Sequence, residues 1–152
     1  MMTIADSTEV VKCFLEGTDI PVHEMIVPDD LYNEYLVAEE RHDKKLAHVV
    51  KATELEGYSE AYYLRQYARF LNDYSGVSFT KMSGFGDISV LALTASIVDG
   101  FGKKLPQLAL ELGDVQSKMV CVITDDLGLA NKIKATFNDN EVLCQSLEEY
   151  SS

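Results

Sequence analysis

The feature that most constrains the fold is an alternation of short strand-like runs with helix-like segments. A short, wholly apolar run leads through a turn into a segment whose apolar residues have helical spacing. VCVITDDLGLANKIKA (120–135) shows the unit in full. A run that is apolar at successive positions, rather than alternating, suits a strand buried on both faces, as in a parallel sheet covered by helices. MTIA (2–5) is such a strand, followed by STEVVKCFLEG (7–17). In that segment Val10, Val11, Phe14 and Leu15 share a helical face and Gly17 is the C-cap. HEMIVP (23–28) is the next strand; Pro28, Asp29 and Asp30 suit a helix start, and helical spacing runs through 31–57 with room for one break. Ser59 and Glu60 open a helix to about Asn72, with Ala61, Leu64, Ala68 and Leu71 on one face. VSFTKM (77–82) reads as a strand, 84–86 as a glycine-rich turn, and Asp87 as the opening of a helix to 98. A weaker helix over 103–113, a strand at 119–124, a helix at 127–137 and a last strand at 141–144 complete the chain. The alternation predicts an α/β fold, a mostly parallel sheet of four to five strands with helices on both faces.

Placing the acids on that scaffold brings them together. In open α/β sheets ligands bind outside the C-terminal ends of strands. Asp6 follows the first strand, Glu34 the second, Asp87 the third, and Asp125 and Asp126 follow the strand at 119–124. Carboxylates gathered at one edge repel each other, and a hard divalent cation, Mg²⁺ or Mn²⁺, would relieve that with oxygen ligands while retaining water for a phosphate substrate. Each acid also has a plainer reading. Asp6 and Asp87 suit N-caps, Glu34 stands with Glu39 and Glu40 on a solvated helix, and one of Asp125 and Asp126 caps the last helix.

Composition narrows the function classes. With 152 residues, 47% of them hydrophobic and 25% charged, the chain has enough material for one globular core and too little for two. A net charge of -12 disfavours holding nucleic acid by bulk attraction, though it leaves room for a small basic strip beside a metal. Two basic groups are candidates for nucleic-acid contact: Arg65 and Arg69, set among Tyr58, Tyr62, Tyr63 and Tyr67, and Lys44 and Lys45 beside Arg41. Aromatic core residues with solvated charges are the alternative. Cys13, Cys121 and Cys144 lack CxxC spacing and read as buried, reduced thiols; His23, His42 and His48 form no triad pattern. No apolar run spans a bilayer and the first residues carry no leader pattern, so a cytoplasmic location without membrane contact is expected.

Four motifs in order resemble the PIN-domain family of metal-dependent ribonucleases, whose toxin branch is VapC-type. They are TIADSTEVVKCFLEG, MIVPDDLYNEYLV, MSGFGDISVLALTAS and VCVITDDLGLANKI, and a closing strand fits NEVLCQS. The resemblance implies a single three-layer α/β/α PIN-like domain over 1–152, with 99–118 expanded or inserted. It makes Asp6, Glu34, Asp87 and Asp126 the catalytic acids, with Asp6, Asp87 and Asp126 on Mg²⁺ or Mn²⁺. Thr124 would support the site, Asp125 would be the variable residue, more solvated than engaged, and Asp99 stands as a rival for the third acid. The implied substrate is single-stranded RNA, and the implied partners are an antitoxin-like protein and a second copy of the chain. Two readings of other classes stay open: a PIN-like protein-binding module without nuclease activity, and another metal-dependent phosphoester hydrolase.

Overall fold

The computed structural model describes residues 2–6, 25–42, 49–74, 83–102 and 120–151. The elements, in order, are β1 (Met2–Ala5), β2 (Met25–Val27), α1 (Asp29–His42), β3 (Val49–Lys51) and a 3-10 turn (Ala52–Glu54). Then come α2 (Glu60–Asp73), α3 (Ser83–Val98), β4 (Val120–Ile123), α4 (Leu127–Thr136), β5 (Val142–Gln145) and α5 (Leu147–Ser151). The strands form one five-stranded sheet in the order β3-β2-β1-β4-β5, and every pairing is parallel. This is an α/β fold, as the alternating pattern predicts. The expected helices over 7–17 and 103–113 and the expected strand over 77–82 lie outside the described residues.

All of β4 is buried, and its residues divide between the two faces of the sheet. Val120 and Val122 join Ile4, Ile26 and Val142 in the main core with α2, α3 and α4. Cys121 and Ile123 point the other way, against Leu147 of α5. Helix α3 runs through the main core and is buried on every side from Asp87 to Ile97. Two of its hydroxyls are satisfied within the helix: Thr94 Oγ1 donates to the Val90 carbonyl and Ser96 Oγ to that of Ala92, both at 2.7 Å.

Three expectations are corrected. The helical spacing over 31–57 hides β3: α1 ends at His42 and the chain becomes extended at Val49–Lys51, where paired β-branched valines suit a strand on the edge beside β2. Helix α3 begins at Ser83 rather than Asp87, taking the glycines of 84–86 into its first turns. A Cβ at Gly86 would stand 3.5 Å from Leu31 Cδ2, so this helix start lies against α1, and packing outweighs the low helix propensity of glycine. In α2 the inward face carries Tyr63, Tyr67, Phe70 and Leu71, while Ala61, Leu64 and Ala68 face outward. The aromatic rings offer more area to bury than the small residues that the spacing alone selects.

Candidate functional site

The chain leaves β1 for β2 on one side and later returns to β4 on the other, so β1 and β4 flank the topological switch point of the sheet. Ligand crevices of α/β folds open at this place, beyond the C-terminal strand ends. Asp6 is the first residue after β1, and Thr124, Asp125 and Asp126 follow β4. The backbone continues the ladder past both strands: the Asp6 amide donates to the Ile123 carbonyl at 3.3 Å and the Thr124 amide to that of Gln145 at 2.9 Å. The acids are thereby held at fixed height on the sheet edge.

Thr124 is buried and joins two of them. Its hydroxyl accepts the Asp126 amide at 3.0 Å and lies 3.5 Å from Asp6 Oδ2, to which it donates. Asp126 is the N-cap of α4, its Oδ1 accepting the amides of Gly128 at 2.8 Å and Leu129 at 3.3 Å. Asp125 is not merely solvated, as the sequence suggests: although exposed, its Oδ1 accepts the Leu147 amide at 3.2 Å, at the start of α5. The adjacent acids therefore serve two different helix N-termini, where free amides and the helix dipole favour negative charge.

Asp87 comes from α3 and is buried. Its Oδ2 lies 3.2 Å from Lys132 Nζ of α4, and that ammonium also stands 5.2 Å from the Tyr74 ring centroid. Burial pushes the Asp87 carboxyl above its ordinary value; the Lys132 hydrogen bond and charge pull it back, and the Asp126 charge pushes it up. Lys132 is the functional candidate that sequence reasoning misses. Its signal is positional: it lies between the inward-facing Leu129 and Ile133, on a helix that Asp126 starts.

Glu34 sits on the exposed face of α1, beside inward-facing Leu31 and Tyr35. Asp99 follows the far end of α3, about 18 Å of helix from Asp87 at about 1.5 Å per residue, and accepts the Tyr62 hydroxyl. It does not compete for the third place. Arg65 lies over the Tyr62 ring at 5.3 Å, and Arg69 over Phe70 at 4.8 Å with Gln66 and Asp73 of its own helix beside it. Both are exposed side chains resting on their own helix. Lys44 and Lys45 lie outside the described residues.

As donors, the carboxylates of Asp6, Asp87 and Asp126 and the Thr124 hydroxyl are the hard oxygens that Mg²⁺ and Mn²⁺ take. Among the described residues, no three or more His, Cys, Asp or Glu side chains are close enough together to hold an ion as they stand. Lys132 supplies the positive charge at Asp87. No helix among the described residues is long and apolar enough to cross a membrane. Comparison with protein-family models, curated proteins and solved structures gave no match.

Proposed function

We propose that the chain is a metal-dependent endoribonuclease acting on single-stranded RNA, of the PIN type that its motifs resemble. The observation that supports this reading is the joining of Asp6, Thr124 and Asp126 at the switch point of a parallel sheet, with Asp87 tied through Lys132 to the helix that Asp126 starts. Asp6, Asp87 and Asp126 would hold Mg²⁺ or Mn²⁺, which supplies an activated water and charge stabilisation at the phosphate. Within the chain, Thr124 fixes the Asp6 carboxylate relative to the β4 end, the α4 amides orient Asp126, and Lys132 offsets the charge of Asp87. A cytoplasmic location, a second copy of the chain and an antitoxin-like partner belong to the same reading.

The test is incubation of the purified protein with labelled single-stranded RNA and Mn²⁺ or Mg²⁺. Asp6→Asn and Asp126→Asn should abolish cleavage. Equal cleavage by the variants, or none by the wild type, defeats the nuclease reading. One observation favours the second reading, a PIN-like binding module without nuclease activity: the Lys132 ammonium already stands on Asp87. That module would bind a partner through this pocket with no metal-dependent cleavage of RNA.

A further inference from the structure

A second site lies at the same edge of the sheet, on the far side from β5. The space between the ends of β2 and β3 and the start of α2 is a half-open cavity of about 300 Å³. Tyr58, Tyr63, Tyr67 and Leu64 supply aromatic and apolar wall, and Asp29 and Glu60 supply carboxylates. No Lys, Arg or His is among the lining residues.

The local structure holds these groups in place. The first residue of α1, Asp29, is fixed by Thr53: the Thr53 hydroxyl donates to its Oδ2 at 2.8 Å and the Thr53 amide to its Oδ1 at 3.3 Å. Glu60 is the first residue of α2, set by the Ser59 cap. The Tyr58 ring stands edge-on to Phe101 at 5.3 Å and 6.2 Å from Tyr63, which in turn is 6.3 Å from Tyr67. Phe101 reaches Tyr58 from a turn with left-handed backbone (φ 55), flanked by Gly100 and Gly102, a conformation a bulky residue adopts only when its packing demands it. The Tyr58 hydroxyl is pushed to a higher pKa by burial and then by the charges of Asp29 and Glu60, which line the cavity with it.

Aromatic walls with negative charge and no basic residue are the chemistry that recognises an organic cation. Ring quadrupoles and carboxylates both attract it, and the apolar surface takes its alkyl groups. A polyanion such as RNA is repelled by the same charges. We propose that this cavity is a binding site for an alkylated ammonium group, carried either by a free small molecule or by a lysine-type side chain of a peptide. It stands on different residues from the acidic site and does not depend on the nuclease reading.

The experiment is an amide-resolved NMR titration of the intact chain with choline and with its uncharged carbon isostere, 3,3-dimethylbutanol. Choline should cause saturable shifts at Thr53, Glu60, Tyr63 and Tyr67, and the isostere should bind about tenfold more weakly, since a cation–ring contact weighs about two- to thirtyfold in affinity. Glu60→Gln, an isosteric change at an exposed position, should weaken choline severalfold and leave the isostere unchanged. A trimethyl-lysine peptide separates the sources: tighter binding than choline assigns the site to a protein-borne cation, weaker binding to a free one. Equal binding of choline and the isostere, indifference to Glu60→Gln, or no saturable shift with any probe overturns the proposal.

Discussion

The pairing of Lys132 with Asp87 gives a prediction whose size and pH dependence both follow from the structure. Lys132→Met keeps most of the apolar stem against Tyr74 and removes the ammonium. A carboxylate is then left without its cation in the protein interior. Breaking a fully buried ion pair costs about 3–5 kcal/mol. Here the side chains are 24% exposed for Lys132 and 11% for Asp87, so solvent screens part of the effect. The expected loss at pH 7 is about 2–3 kcal/mol.

The sign of the pH dependence is fixed by Asp87. Burial raises its carboxyl above the ordinary 3.8, so the folded state binds this proton more tightly than the unfolded chain does. The stability it contributes is therefore fully present below the unfolded value and is lost as pH rises through the folded one. Lys132→Met removes both influences that lower the folded value and leaves those that raise it, burial and Asp126. The variant's deficit should be largest near neutrality and should shrink in acid, as Asp87 takes up its proton with or without the lysine. Urea unfolding at neutral and at acid pH checks this. With a slope of about 1–3 kcal/mol per molar urea, the midpoint at neutral pH should fall by roughly 1 M or more with no change in slope. Adding Asp87→Asn to Lys132→Met should recover much of the loss, because no buried charge remains. A deficit under about 0.5 kcal/mol at pH 7, or an equal deficit at both pH values, would refute the reasoning.

Substitutions at two further positions test what the local structure contributes. Asp126→Ala removes the α4 cap and should cost about 1 kcal/mol in thermal or urea unfolding, whereas Asp126→Asn keeps an N-cap and should cost only a few tenths; on the nuclease reading, RNA cleavage should be lost in both, since both remove the charge. Phe101→Ala deletes the ring that packs edge-on against Tyr58 and Tyr62 and leaves a non-glycine residue in left-handed backbone, so it should lower stability by about 1–3 kcal/mol in the same assay.

Where the sequence was legible, one physical signal dominated. Short, largely apolar runs at 2–5, 119–124 and 141–144 mark strands, and β1, β4 and β5 match them to within a residue or two. The placing of Asp6 and Asp126 at one edge follows from that, because parallel strands present their C-terminal ends together. The strand β3 was hidden because it is short and only half-buried, with valines that also fit a helical face. The inward face of α2 was misread because spacing counts residues, while burial depends on the area of the tyrosine rings. Lys132 was hidden for a different reason. Spacing shows that α4 turns Leu129 and Ile133 inward, but not that α3 brings Asp87 to the same place; that contact exists only in the folded chain.

The adjacent acids after β4 lead to a final prediction. Asp125 is held by the start of α5, Asp126 by the start of α4, and Asp87 by Lys132. Each charge has compensation within the chain, so folding itself requires no metal. A chelator should leave the melting temperature of the purified protein unchanged. The nuclease reading nevertheless requires that Mn²⁺ bind the folded state at Asp6, Asp87 and Asp126. Binding to the folded state alone stabilises it by about 2.7 kcal/mol at a hundredfold excess over Kd, a clear rise in melting temperature for a chain of this size. Asp6→Asn and Asp87→Asn should each remove most of that rise, whether or not an RNA substrate has been found. If Mn²⁺ leaves the wild type unmoved at millimolar concentration, the acids at the switch point serve the fold and not an ion, and Asp87 is then best understood as the partner of Lys132 alone.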